Sequence, residues 1–346
     1  MNILPALWHI SLTLSLIALV IVTGLIVARF ISELLQKRRA AERQRLIPLL
    51  LGGEASGERS HIAAHAPNTL TNLAIELIQM VRGTDREKFI ENARELGVPD
   101  RLRHRMDSGS PRSRLEAAEA LAEFGDPKSL QRLKAALDDS NSDVRLAAAV
   151  SLAAAGAAPP ASELVAKLRL GTVENSRLIV SLFREIAKSR PEEIRELILA
   201  PQYPASVKAA AIEALSTSGD YSLVPIIADL VVRADPGDEA LPRYLRALGA
   251  LGHPAAAEAV EYGMDNTEWR TRAAAAEAAG QVSLFQLAPR LADLLDDSSW
   301  WVRFKAGEAL ARLGDRGREL LVEVAERGDG TARETARLTL AERKLL

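Results

Sequence analysis

The chain has 346 residues, 48% of them hydrophobic, only 4% aromatic and 26% charged, with 44 Lys and Arg against 46 Asp and Glu for a formal charge of -2. An apolar fraction carried by Ala, Leu and Val rather than by large rings favours helices whose backbones approach closely, and disfavours a sandwich or barrel. With no Cys, disulfides, thiolate nucleophiles and Cys-ligated zinc or iron–sulfur sites are excluded together.

The first 28 residues contain no Asp, Glu, Lys or Arg, and Leu7 to Ala28 is 22 residues of almost unbroken apolar character. As a helix that span measures roughly 33 Å, the thickness of a bilayer's hydrocarbon core. The start, MNILPALWHI, has no base and the apolar run is too long for a cleaved signal. Residues 1–31 therefore read as a retained transmembrane anchor. Arg29, Lys37, Arg38, Arg39, Arg43 and Arg45 follow, against Glu33 and Glu42, a net of +4. The positive-inside bias keeps that end in the cytoplasm and puts the N-terminus outside. Residues 32–51 read as a basic juxtamembrane helix whose Lys37, Arg38, Arg39, Arg43 and Arg45 lie against anionic head groups. Within the anchor, Ser11 with Ser15 and Gly24 with Ala28 place small residues four apart, which lets a second membrane helix approach. Ordinary helix composition gives such pairs too.

Taking +4 from the total of -2 leaves -6 on residues 46–346, an acidic remainder that disfavours a nucleic-acid partner. Leu46 to Leu51 is apolar with a breaking Pro48, and residues 52–67 (GGEASGERSHIAAHAP) read as a flexible linker. His61 and His65 lack a third ligand nearby, so no metal is expected there.

Beyond the linker, Leu70, Leu73, Leu77, Ile78 and Val81 recur at helical spacing, Gly83 stops the helix, and Thr84 with Glu87 has the form of a capping box opening a second helix that ends near Gly97. From there the sequence repeats. DVRLAAAVSLAAAG (143–156), SVKAAAIEALSTSGD (206–220) and WVRFKAGEALARLGD (301–315) each carry a base, small residues, a Leu and a closing Gly. Taking Ser113, Val144, Ser176, Val207, Ala240, Thr271, Val302 and Ala332 as anchors gives intervals of 30 to 33 residues, the period of a solenoid of two-helix units. Ala117, Ala118 and Leu121, with Ala148, Ala149 and Leu152 and with Ala211, Ile212 and Leu215, form the expected buried face of the first helix. Asp126, Asp220 and Asp315 are placed to cap the second, and His253 takes that place in one unit. The fold class is all-α, a helical solenoid over 68–346. The unit resembles the short HEAT-like repeat, the variety also found in bilin lyases, over roughly Pro111 to Leu346 with a divergent unit before it. That resemblance specifies fold better than function.

Arg114, Arg145, Arg177, Lys208, Leu241, Arg272, Arg303 and Arg333 follow the anchors, a base in seven of eight units. They form either a column that reads an acidic ligand or, as the repeat resemblance implies, pairs with an acid or carbonyl of the next unit. Trp269 and Trp300 both lie two residues before an anchor, with Trp301 adjoining, where other units have Pro111, Ser142 or Ala205. They are the candidate partner-binding residues, as an exposed apolar patch; the alternative has the rings covering a seam between units. Tyr221 and Phe285, in the place of Pro127 and Pro254, read as packing. Adjacent carboxylates Asp138 with Asp139 and Asp296 with Asp297 read as solvated loop residues. No G-x-S-x-G, Walker or H-E-x-x-H motif is present, so no catalytic site or cofactor is expected.

The function expected is a membrane-anchored scaffold or adaptor on the cytoplasmic face of a bacterial inner membrane. It would recruit or regulate a membrane-associated protein partner, such as an envelope glycosyltransferase or synthase, and contact membrane lipid. Only 9 of the 44 bases are Lys, which with abundant Ala suits a GC-rich bacterial source. The alternatives are a bilin-lyase-like enzyme, as the resemblance implies, and a permanent structural subunit of an envelope complex.

Overall fold

Alanine and leucine recurring at three and four residues bury one stripe of a helix, and in the computed structural model every regular element among the described residues is helical. Those residues are 19, 21–23, 25, 29, 30, 40–52, 66–171 and 177–343. They fall in two units, Met1–Leu133 and Lys134–Leu346.

The anchor expected over residues 1–31 lies mostly outside the described residues, as do Ser11, Ser15, Gly24, Ala28, Lys37, Arg38 and Arg39. Leu19, Ile21, Val22, Leu25 and Phe30 are described, helical and more than half exposed. Among the described residues no helix is long and apolar enough to cross a membrane.

In the first unit, residues 40–51 are helical straight through Pro48, although an internal proline removes a helix hydrogen bond. Burial supplies the compensation: Leu46, Leu49 and Leu50 are at most 3% exposed, and Asn92 Nδ2 donates to Leu50 O at 3.2 Å. Arg43, expected at the head groups, is ion-paired with Glu76, while Arg45 is exposed. Helices α1 (Pro67–Ile78), α2 (Thr84–Glu95), α3 (Val98–Ser108) and α4 (Pro111–Leu121) follow. Leu70 and Leu73 are buried as their spacing predicts. The capping box is not made. Gly83, at φ 66°, holds the N-cap of α2 and Thr84 is already helical; glycine reaches this left-handed φ without the Cβ clash a threonine would meet there. Helix α5 (Pro127–Ala136) opens on Asp126, whose Oδ1 accepts from Ser129 N at 3.0 Å.

In the second unit, first and second helices alternate: α6 (Ser142–Ala154) with α7 (Ala161–Lys167), α8 (Arg177–Ala187) with α9 (Pro191–Leu199), α10 (Ala205–Leu215) with α11 (Leu223–Arg233), and α12 (Leu241–Leu251) with α13 (Ala257–Met264). Then come α14 (Trp269–Val282) with α15 (Ala288–Asp293), α16 (Trp300–Arg312) with α17 (Gly314–Arg327), and α18 (Gly330–Glu342). The anchors Val144, Val207, Thr271 and Val302 are at most 2% exposed, and the alanine stripes predicted for the first helices are buried. Ser176 lies outside the described residues.

Small residues set the spacing of successive first helices. A Cβ on Gly249 of α12 would meet Ala278 Cα of α14 at 3.1 Å, and one on Gly280 of α14 would meet Ala309 Cα of α16 at 2.7 Å. The expected caps appear in part. Asp220 Oδ1 accepts from Ser222 N at 3.0 Å, and His253 Nδ1 accepts from Ala255 N at 3.2 Å. Asp315 instead sits inside the first turn of α17, whose N-cap makes no side-chain bond.

Candidate interaction site

Trp269 and Trp300 open α14 and α16, the register at which Pro111, Ser142 and Ala205 open α4, α6 and α10. The inward face of α16 is fixed by Val302, Ala306, Ala309 and Leu310, all buried. Residues three and four apart are neighbours on a helix surface, so Trp300, Trp301 and Phe304 share the opposite face. Trp300 and Trp301 remain 55% and 51% exposed. Their rings meet edge-on at 4.7 Å and 76°, Trp300 stacks on Phe304 at 5.2 Å and 11°, and Trp301 meets Phe304 edge-on at 6.3 Å. Such pairs hold rings in one arrangement beyond what burial alone gives. The result is a rigid apolar cluster at the open end of α16.

Polar groups frame the cluster. Lys305 Nζ lies 5.8 Å from the Phe304 ring centre and bonds Glu277 at 3.0 Å and Glu308 at 3.2 Å. Burial alone would lower its pKa, but the hydrogen bonds and charges of those two carboxylates outweigh it and hold the ammonium above its ordinary value. Trp269 is half-buried, with Arg270 Cζ 4.7 Å over its ring. Phe304 was not among the residues singled out from the sequence; its signal is its spacing of four from Trp300 and three from Trp301.

The basic column is structural. Arg114, Arg145, Arg272 and Arg303 turn back along the chain, donating to carbonyls five or six residues earlier: Gly109 O at 2.9 Å, Asp139 O at 2.9 Å, Asn266 O at 2.9 Å and Asp297 O at 2.8 Å. The carbonyls thus belong to the preceding loop and not to the next unit. Arg272 adds a carboxylate from the next unit, holding Asp297 through Nε at 2.7 Å and Nη2 at 2.9 Å. Asp297 is accordingly no solvated loop residue: its side chain is 7% exposed. Asp138 pairs with Lys167 at 2.9 Å.

Tyr221 and Phe285, expected to pack, are 55% and 56% exposed. Both stand at the turn between first and second helix, where the repeat register points a side chain to water; Tyr221 meets the His253 ring at 5.2 Å. Among the described residues no group of three or more His, Cys, Asp or Glu is arranged to hold a metal ion.

A family model described as HEAT repeats matches residues 95–177 and 261–341, so these two stretches carry HEAT repeats. No curated protein matches the sequence. Among solved structures, that of Kap121p is similar at 14% identity over 82% of this chain and 39% of that one, with a TM-score of 0.43. Kap121p bound to RanGTP is similar at 14% identity over 89% and 39%, TM-score 0.46. Human deoxyhypusine hydroxylase in complex with glycerol is similar at 17% identity over 81% and 99%, TM-score 0.31. The chain spans about two fifths of the length of the Kap121p chains it matches. These distant likenesses carry no functional argument.

Proposed function

We propose that this chain is a membrane-anchored HEAT-repeat scaffold whose repeats lie on the cytoplasmic face of a bacterial inner membrane and recruit or regulate a protein partner there. The observation that carries the reading is the cluster of Trp300, Trp301 and Phe304, which holds two tryptophans more than half exposed at the start of α16. Rigid, exposed aromatic rings supply contact area at low entropic cost and dominate the energetics of interfaces. The anchor is supported by the charge-free first 28 residues and by the exposed apolar side chains of Leu19, Ile21, Val22, Leu25 and Phe30. At 100° per residue these five lie within about half of a helix's circumference, an exposed apolar face that lipid would cover. An integral-membrane envelope enzyme, such as a glycosyltransferase or synthase, is the partner class that a scaffold so placed would meet.

The test is co-purification of the full chain from membranes in mild detergent, against the triple variant Trp269→Ala, Trp300→Ala, Trp301→Ala. Truncating one hot-spot tryptophan costs about 2 kcal/mol, roughly 30-fold in affinity, so the triple variant loses its partner in the wash. Undiminished recovery of the same partner would place the docking face elsewhere on the repeats.

A further inference from the structure

A cavity of about 490 Å³ opens between α1 and α3 in the first unit, remote in sequence from the tryptophans, and is lined by Asn68, Thr71, Arg101, His104, Arg105 and Ser108 among others. Its volume is in the range of small-molecule sites. Two arginines face it without a carboxylate partner among the described residues. Arg101 Nη1 donates to Leu96 O at 3.0 Å, and Arg105 Nη1 donates to Asn72 Oδ1 at 2.9 Å. Each bond orients a guanidinium, and a guanidinium has five N–H donors. Both side chains are half-buried, and their uncommitted donors remain open to the cavity and its solvent. Three other arginines of the unit are matched with acids, Arg43 with Glu76, Arg86 with Glu123 and Arg132 with Asp107, while Arg94 donates to Phe124 O at 3.0 Å. Asp100, the one acid lining the cavity, is already held by Arg103.

We infer that this cavity binds a phosphate group. Two planar guanidinium forks on one helix, four residues apart, match the oxygens of a tetrahedral phosphate in a way that ammonium groups do not. His104 adds a ring N–H and Asn68 an amide N–H₂, while the Ser108 hydroxyl hydrogen is already given to His104 O at 3.2 Å. The phosphate comes either from the headgroup of an anionic phospholipid or from a soluble phosphate ester. The site stands apart from the membrane reading, since inorganic phosphate tests it without any bilayer.

The experiment is thermal unfolding of the full chain in neutral detergent with inorganic phosphate, with short-chain phosphatidylglycerol, and with chloride at equal ionic strength. Binding to the folded state alone raises Tm by a few degrees at saturating ligand, and the variant Arg101→Gln, Arg105→Gln loses that rise. Asn68→Glu, which keeps both arginines but sets a carboxylate in the cavity, loses it too, and so guards against a double variant that merely folds poorly. Arg112→Gln, on the exposed surface outside the cavity, responds as the unaltered chain does. A rise with phosphatidylglycerol and none with phosphate assigns the lipid headgroup; a rise with phosphate alone assigns a soluble ester. No rise with either, an equal rise in both cavity variants, or a loss in Arg112→Gln overturns the proposal.

Discussion

Asp297 joins two successive repeats through one carboxylate. Its oxygens accept from Arg272 Nε at 2.7 Å and from Ser299 N at 2.7 Å, and its own carbonyl accepts from Arg303 at 2.8 Å. Burial alone would raise the carboxyl's pKa, but the bonds from Arg272 and Ser299 and the charges of Arg272 and Arg303 outweigh it, so the native value lies below the ordinary one. A native pKa below the unfolded one contributes stability that is complete above the unfolded value, about 3.9, and is lost as pH falls through the native value. Removing one member of a buried pair leaves the other charge uncompensated and costs about 3 kcal/mol. Asp297→Asn should therefore be less stable than the unaltered chain by about that amount at neutral pH, and should lack the loss that the carboxylate contributes below pH 4. Urea unfolding of both proteins between pH 3 and 7 measures this; equal stabilities at neutral pH would show the pair to be incidental. Arg272 also explains why the basic residue after each anchor recurs. It satisfies carbonyls at the end of the preceding loop, as Arg114, Arg145 and Arg303 do in their own units.

At the scale of the helix, stacking rests on what is missing from Gly280. Its absent Cβ would come within 2.7 Å of Ala309 Cα, a backbone atom that cannot swing aside as a side chain end can. Gly280→Val should destabilise the second unit by about 1–3 kcal/mol through overpacking; a denaturant midpoint unchanged from that of the parent would mean that α14 and α16 slide apart freely. This packing was legible in the sequence because the same small residues return every 30 to 33 positions, and a period needs no knowledge of the partner helix. What was not legible is instructive in kind. Thr84 and Glu87 fit a capping box by type, yet Gly83 takes the cap at φ 66° and Thr84 already lies within the helix. Residues 46–51 read as a broken apolar stretch, yet they bury Leu46, Leu49 and Leu50; that burial depends on neighbours distant in sequence such as Asn92, and it overrides the proline's local cost. Of the aromatic site, the register of Trp269 and Trp300 at the first helical position could be read from the repeat. The stacking of Phe304 on Trp300 required the helix to be built first.

For the whole molecule, the proposed topology rests on how charge is distributed along the chain. The formal total is only -2, yet residues 29–45 carry a net +4 directly after a run of 28 without an acidic or basic side chain. If residues 1–31 span a membrane as proposed, the Lys and Arg that follow would resist translocation and keep that side in the cytoplasm. The -6 on residues 46–346 does not oppose this, because acids contribute little to orientation. The chain's lack of Cys makes the orientation testable without background. A single thiol introduced as Asn2→Cys should react with a membrane-impermeant maleimide in intact spheroplasts, whereas one introduced as Ser60→Cys should react only after permeabilisation. Both residues flank the proposed anchor and neither is an apolar side chain needed to span the bilayer. The reverse labelling pattern would put the repeats, and with them the exposed Trp300 and Trp301, on the other side of the membrane. Labelling of both sites in intact cells would show that residues 1–31 do not hold the chain across it.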